Sequence, residues 1–138
     1  MKDKLNSSVK FREEYRPYAP VILKDKVSEY FDIECESPFM LIVADVKKDK
    51  FKIIPSVNHV DGTARVQTVT ENDNKWYYNF IKKFESKTKV PIVLNTSFND
   101  REPIVETPEH AINCFMGTNI DYLYFYETKT LVRKKRFI

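Results

Sequence analysis

The chain contains only two glycines, Gly62 and Gly117, among its 138 residues. Glycine-rich phosphate loops of the GxGxxG or GxxxxGK type need several glycines within one short segment, where they let the backbone approach the phosphate. Two glycines this far apart exclude both loop types. A phosphate ligand would therefore have to be held by side chains.

Cysteine and histidine are equally scarce. The two cysteines, Cys35 and Cys114, are far apart and lack a CxxC spacing, so we predict two free, buried thiols. The two histidines, His59 and His110, are far apart, and Cys114 is the only cysteine near either of them, which is too few ligands for a structural zinc site. We therefore expect no metal held by protein side chains.

Long hydrophobic runs are missing as well. The longest, residues 39–44, has six residues, whereas a membrane span needs about 18. The first residues include no apolar stretch of the kind found in a secretory signal. We expect a cytoplasmic protein that has no membrane partner.

Charge of one sign is also lacking, since 23 Lys and Arg oppose 20 Asp and Glu and leave a net charge of +3. So small an excess of positive charge does not indicate nucleic-acid binding. The sequence also shows no basic stripe with exposed aromatic residues interleaved in it. Hydrophobic residues, in contrast, make up 42% of the chain and aromatics 14%. That content supports one folded core without disulfides, and we predict a single domain over residues 1–138.

Hydrophobic patterning predicts interleaved strands and helices. Strands are expected at 21–23, 39–46, 64–70, 90–94, 122–126 and 131–133, and the run 39–46 reads as a fully buried strand. Helices are expected at 3–10, 25–30, 72–87 and 107–116. This order predicts the α/β class, with α+β as the alternative.

The two longer helices carry recognisable signals. In the helix at 72–87, capped by Asn72 or Asn74, the spacing of the aromatics predicts one apolar face, made of Trp76, Phe80, Ile81 and Phe84. The later helix begins at Thr107 with proline at its first position, and Gly117 is the expected residue just beyond its end.

Three segments bring polar groups to the edges of apolar elements. The first supplies Lys10, Arg12 and Arg16, and the second, residues 58–67, crowds His59, Asp61, Thr63 and Arg65 around Gly62. The third, residues 95–99, follows a predicted strand with amides and hydroxyls, at the strand end where ligands of open α/β sheets bind. Arginine, lysine, serine and asparagine together can bind an oxyanion.

Structural roles for the same residues remain open. Arg12 and Arg16 flank two glutamates and could form a solvated ion-pair face. Arg65 could bond carbonyls, while Asn95 and Ser97 could cap a turn. His59 and His110 could both be structural histidines, and the basic tail 133–136 could be solvated or contact another domain.

Three ordered motifs resemble one known family. Residues 11–20, FREEYRPYAP, are similar to its REpfRPfAP segment, and residues 59–69, HVDGTARVQTV, resemble its most distinctive string. Residues 91–99, PIVLNTSFN, resemble its PvllNTSFN strand, and residues 102–111 resemble a further stretch, GEPIV.tPedA. The family comprises the O-carbamoyltransferases of nodulation factors and of aminoglycoside and cephem antibiotics. The chain resembles their C-terminal, YrdC-like domain, a twisted mixed sheet with flanking helices.

The resemblance implies a division of labour. This domain would bind carbamoyl phosphate and ATP and form carbamoyl-adenylate, with Mg²⁺ held mainly by the nucleotide phosphates. An N-terminal actin-like domain, with histidine-bound metal, would transfer the carbamoyl group to a hydroxyl acceptor. That domain is absent from this sequence and would be the partner, in cis or in trans.

The matched motifs imply roles for particular residues. Lys10, Arg16 and Arg65 would bind carbamoyl phosphate and stabilise charge during catalysis, and Ser97 would orient an oxygen without acting as a nucleophile. Four further residues are secondary candidates for binding the nucleotide or carbamoyl group: His59, Thr63, Asn95 and Asn99. The family usually has a glycine before Glu-Pro-Ile, whereas this chain has Arg101, which makes the role of Asn99 less certain.

Two other functions are consistent with the sequence. The domain could be a non-catalytic, regulatory module with a vestigial anion site that docks a partner subunit. RNA binding is the third hypothesis, and the small net charge argues against it.

Overall fold

A computed structural model describes residues 1–134 and divides them into two compact units. One unit, here the sheet unit, comprises Lys2 and Arg16–Thr96. The other, here the helix unit, comprises Met1, Asp3–Tyr15 and the described residues from Ser97 onward. Helices and a mixed sheet occur together, which confirms the α/β class. The assignment of the whole chain to one domain stays a prediction.

The sheet unit is built on four strands in the order β2-β3-β1-β4. They are β1 (Ala19–Leu23), β2 (Ile42–Asp45), β3 (Thr63–Val69) and β4 (Ile92–Asn95). β1 runs parallel to β3, and the other two pairings are antiparallel. The expected strands at 21–23, 64–70 and 90–94 are thus confirmed, with small shifts at their ends.

Alternation along the strands separates two faces of this sheet. Ile22, Ala44, Ala64, Val66 and Ile92 point into the larger core. There they pack with a set of apolar residues from the helix α2 (Val27–Tyr30) and the connecting loops: Val27, Tyr30, Phe31, Ile33, Val46, Ile54 and Val57. A short 3₁₀ turn, Lys24–Lys26, leads into α2, where the sequence predicts a helix at 25–30.

The prediction of a buried strand at 39–46 is wrong in two respects. Only Ile42–Asp45 forms a strand, and that strand lies at an edge of the sheet with Val43 exposed. Phe39 and Leu41 are also largely exposed, at 77% and 83% of their surface. A continuous apolar run does not distinguish a central strand from an edge strand, because its composition carries no information on what covers each face.

The longest helix, α3 (Lys75–Thr88), packs on the opposite face of the sheet. Asn74 caps it, since its side chain accepts a hydrogen bond from the Tyr77 backbone N–H. Ile81 is fully buried against Val21, Leu23 and Val69, with Tyr77 and Tyr78 packed beside it.

The predicted apolar face of this helix is only partly correct. Trp76, Phe80 and Phe84 remain 36%, 44% and 37% exposed, so the face that packs on the sheet is narrower than their spacing indicates. Lysines follow these exposed aromatics on the same helix. One argument against nucleic-acid binding was the lack of exposed aromatics among basic residues, and it no longer applies. Nucleic-acid binding itself is untested.

The helix unit includes all of α1 (Lys2–Leu5) except Lys2, and α1 continues as a π-helical segment, Asn6–Lys10. Its later part consists of α4 (Pro108–Gly117) and a hairpin of β5 (Tyr122–Phe125) and β6 (Thr130–Arg133). Ala111, Phe115 and Leu123 form its buried core. The helix signals are confirmed at the start of α4, because Thr107 accepts a hydrogen bond from the His110 N–H and Pro108 follows it.

Three smaller expectations need correction. Gly117 is the last residue of α4 rather than the residue beyond it, and the only glycine with a positive φ among the described residues is Gly62. Cys35 is exposed and Cys114 half-buried, so neither thiol is fully buried, although both are free. The residues that flank a cysteine in sequence do not by themselves show whether its thiol is buried.

Within residues 1–134, no helix is long and apolar enough to cross a membrane. Half of the predicted solvated or docking tail at 133–136 lies outside the described residues, since its last two residues fall there.

Candidate functional site

Lys10, Ser97 and Asn99 meet in the helix unit. The Lys10 Nζ donates to the backbone oxygens of Ser97 and Asn99, each 2.8 Å away, and to Asn99 Oδ1 at 2.8 Å. Ser97 Oγ lies 3.3 Å from the same nitrogen and donates to Asn99 Oδ1 at 2.7 Å. The three candidates therefore form one hydrogen-bonded cluster, here the Lys10 cluster, although 87 residues separate Lys10 from Ser97 in sequence.

The cluster surrounds one ammonium with four oxygens. Burial lowers the pKa of Lys10 from its ordinary value, and the nearby Arg12 charge lowers that pKa further. An anion that entered here would offset both effects, because it would add negative charge beside two cations. The three N–H groups of this ammonium already have acceptors, so an oxyanion would bind Lys10 in place of one of those oxygens.

The segment that carries Lys10 is held by Asn6, which is fully buried. The Asn6 amide donates to the backbone oxygens of Glu13 and Glu14, both at 3.2 Å, and its Oδ1 accepts from Arg12 Nε at 2.9 Å. Phe11, with φ of 47°, ends the π-helical turn. Lys10 therefore sits at the end of a segment fixed from within the same unit.

A cleft of about 600 Å³ lies beside Asn99 in the helix unit. Its walls are the irregular loop 99–106 and one side of α4, including His110, Asn113 and Cys114. The Asn99 amide donates to the Glu102 carbonyl at 2.7 Å and links the Lys10 cluster to this loop. The cleft is large enough for a small organic group next to the cluster.

Two polar groups in the cleft wall have unusual surroundings. The Oδ1 atom of Asp100 is buried and has no hydrogen-bond partner within residues 1–134. Burial raises the pKa of the Cys114 thiol, and the Asp100 charge raises it further. Cys114 is therefore a poor nucleophile at neutral pH.

In the sheet unit, His59 and Thr63 meet at the turn before β3. The Thr63 hydroxyl donates to Asp61 Oδ1 at 2.8 Å, and His59 Nδ1 lies 3.0 Å from the same hydroxyl oxygen. Because the hydroxyl has one proton and donates it to Asp61, a hydrogen bond between His59 and Thr63 requires a proton on His59 Nδ1. The Thr63 hydroxyl and backbone N–H both lower the pKa of Asp61.

Arg65 and Asn95 lie on one face of the sheet. Arg65 is opposite Val43 across the β2–β3 pair, and Asn95 is opposite Ala19 across the β1–β4 pair. The Asn95 amide donates to Gln67 Oε1 at 2.7 Å, and Gln67 lies two residues beyond Arg65 on the same side of β3. An exposed guanidinium thus borders a row of amides, an arrangement suited to an anion.

Arg16 lies in the sheet unit, exposed and just before β1. The structure brings together Lys10, Ser97 and Asn99 in the helix unit. In the sheet unit it pairs His59 with Thr63 and places Arg65 and Asn95 on one sheet face. Joint action of all eight candidates on one ligand remains a prediction.

Sequence reasoning missed two residues that organise these groups. Asn6 was not singled out, because a buried asparagine early in a polar helix has no sequence signature. Alternation along β3 places Gln67 on the same face as Arg65, but a glutamine in a strand carries no signal that it bonds Asn95. Within residues 1–134, no group of three or more His, Cys, Asp or Glu is placed to hold a metal ion.

A mixed sheet with flanking helices defines an α/β domain, and its sequence contains no glycine-rich phosphate loop. The sequence matches the family described as Carbamoyltransferase C-terminus over residues 1–134. The chain belongs to that family, as the motifs at 11–20, 59–69 and 91–99 indicate.

The curated relatives include rhizobial nodulation proteins. Nodulation protein NolNO of Sinorhizobium fredii is 45% identical over 126 residues, which cover 88% of this chain and 18% of the relative. Nodulation protein NolO of Bradyrhizobium diazoefficiens is 44% identical over 126 residues, covering 88% of this chain and 23% of that protein. An uncharacterised protein of Synechocystis is 42% identical over 144 residues, covering 89% and 23%. The chain therefore spans about a fifth of the length of these relatives.

Proposed function

We propose that this carbamoyltransferase-related domain binds carbamoyl phosphate and ATP and forms carbamoyl-adenylate for transfer to a hydroxyl acceptor. The observation that carries the proposal is the Lys10 cluster, in which Lys10, directly before the first family motif, contacts Ser97 of the motif at 91–99. Family membership over residues 1–134 supports the same role. The transfer step would belong to an N-terminal actin-like domain.

The reaction would proceed in two balanced steps. Water would cleave carbamoyl phosphate to carbamate and inorganic phosphate, and a carbamate oxygen would then bond to the α-phosphorus of ATP as pyrophosphate leaves. Lys10, Arg16 and Arg65 would stabilise the charge on the phosphate oxygens, which is the main contribution of protein to phosphoryl transfer. Mg²⁺ would enter with the nucleotide, bound mainly through its phosphates.

The remaining candidates would orient the substrates. Ser97 would donate a hydrogen bond to a phosphate or carbamoyl oxygen after exchanging its present acceptor, Asn99 Oδ1. Asn95 and Asn99 would bind amide or nucleotide groups, and His59 and Thr63 are further candidates for the nucleotide. These side chains now make hydrogen bonds within the domain, and each would have to exchange or share them to bind a substrate.

Calorimetry of carbamoyl phosphate binding, with and without a non-hydrolysable ATP analogue, tests the proposal. We expect Arg65→Ala and Lys10→Met each to weaken binding about ten- to hundredfold, because each removes a charge-assisted hydrogen bond to the anion. Lys52→Ala is the matched control, since Lys52 is exposed and lies outside every candidate cluster. We expect its affinity to equal that of the wild type.

Binding that is equally strong in all these variants would contradict the proposal. Absence of binding in the wild-type chain would also contradict it for the isolated domain, and would favour a docking module with a vestigial anion site. Circular dichroism of each variant separates loss of binding from loss of folding.

A further inference from the structure

The outward side of α3 carries an ordered set of aromatic and basic residues. At 100° per residue, Trp76, Phe80, Lys83 and Lys87 lie within about 60° of one another around the helix. We call these four residues the α3 stripe. Phe84 flanks it, and the buried Ile81 lies on the side that faces the sheet.

The α3 stripe is exposed and uncommonly rich in rings. All four of its residues are exposed, and Trp76 stacks on Phe80 with ring centroids 5.6 Å apart and an interplanar angle of 13°. The helix carries four lysines and only one glutamate, Glu85. Exposed aromatic surface rimmed by polar residues is typical of an interaction surface, and aromatic residues are enriched in interfaces.

The order of residues in the stripe makes it complementary to itself. The rings occupy its first half and the lysines its second half, with mirror-image spacing about the point between residues 81 and 82. An antiparallel copy of α3 would therefore place Trp76 opposite Lys87 and Phe80 opposite Lys83, and each pair would occur twice. A parallel copy would instead place lysine against lysine.

We propose that α3 forms an isologous, antiparallel contact with α3 of a second copy of this chain, held by ammonium–aromatic pairs and ring burial. Helices pack at interaxial distances of about 8–10 Å, which brings an ammonium within the roughly 6 Å of a ring centroid that a cation–π contact needs. This helix already makes one such contact, because Lys82 Nζ lies 5.4 Å from the centroid of the Tyr78 ring. The proposal is independent of the proposed substrates.

A contact through one helix pair is small. Interfaces of this size lie at the weak end of the range, so we expect a dissociation constant of roughly tens to hundreds of micromolar. Sedimentation equilibrium between about 1 μM and 1 mM should show the mass rising from 16.4 kDa toward twice that value. Trp76 is the only tryptophan in the chain, so its emission should shift to the blue and become less accessible to iodide over the same range.

A matched pair of variants tests the geometry. Lys83→Glu with Lys87→Glu should weaken self-association at least about tenfold, because both ammonium–ring pairs are lost. Lys48→Glu with Lys52→Glu changes the net charge equally at exposed positions off the helix and should leave association unchanged. Thermal unfolding of both variants checks that the fold is retained.

Three results would overturn the proposal. The first is a monomer at every concentration, and the second is a dimer that tolerates the Lys83 and Lys87 changes. The third is a monomer whose Trp76 emission responds to an added single-stranded oligonucleotide, which would assign the α3 stripe to nucleic acid instead.

Discussion

The two units position their polar residues in different ways. In the sheet unit, Arg65, Gln67 and Asn95 lie where strand register places them, on one face of a four-stranded sheet. In the helix unit, Lys10 reaches Ser97 and Asn99 through hydrogen bonds between segments that are distant in sequence. A sheet fixes a side chain through repeated backbone pairing, whereas a loop cluster depends on a few individual bonds.

The units also differ in how their buried polar side chains are used. Asn6 alone holds three groups of the segment that follows Lys10. In the sheet unit, one side-chain and one backbone hydrogen bond join Ser37 and Thr68. The Ser37 N–H donates to Thr68 Oγ1, and the Thr68 N–H donates to the Ser37 carbonyl. Loss of one side chain should therefore cost the helix unit more.

The largest expected effect is that of Asn6→Leu. It leaves two backbone oxygens and Arg12 Nε without the bonds that Asn6 supplies, and we expect a loss of about 2–3 kcal/mol in the free energy of unfolding of the helix unit. Urea unfolding with amide hydrogen exchange measures the loss and locates it. Asn72→Ala, at an exposed position, is the control and should stay within about 0.5 kcal/mol of wild type.

Equal loss of protection in both units would contradict this prediction, because it would mean that Asn6 stabilises the chain as a whole. We expect the loss to be confined to the amides near Lys10 and Ser97.

Thr68→Val should have an intermediate effect in the sheet unit. Thr68 is buried, and the change removes the acceptor of the Ser37 N–H while conserving shape, so we expect a loss of about 1–2 kcal/mol. The Ser37 hydroxyl keeps its bond to the Val66 carbonyl, which limits the damage. Chemical unfolding measures the change, and Thr96→Val at an exposed position is the control. A loss larger than that of Asn6→Leu would reverse the ranking of the two units.

The sequence predicts features that depend on local pattern better than features that depend on contacts between distant segments. Alternation in residues 64–70 predicts both the strand β3 and the shared face of Arg65 and Gln67, because strand geometry follows from local pattern. Capping signals predict the start of α4 for the same reason. Local chemistry is sufficient where the structure is determined locally.

Contacts between distant segments could not be predicted in this way. Composition indicates that Lys10 and Ser97 suit an anion, but only the family resemblance placed them in one site. The exposure of Trp76 and Phe80 was also missed, because periodicity shows which side chains share a helix face and not which face the sheet covers. The exposed edge strand β2 follows the same rule.

The smallest expected effect is a pH dependence in the sheet unit. The Thr70 backbone N–H and hydroxyl both donate to Asp73 Oδ2 at 2.8 Å and lower the pKa of Asp73 below its ordinary value of 3.8. Since the folded-state pKa is the lower one, this carboxylate stabilises the fold above about pH 3.8, and the stabilisation is lost as the pH falls through the folded-state pKa. Titration of the side-chain carboxyl by NMR should show the depressed pKa, and Thr70→Val should raise it by removing one donor. A pKa unchanged by Thr70→Val would show that the hydroxyl bond contributes nothing to the turn before α3, and that backbone geometry alone fixes this part of the sheet unit.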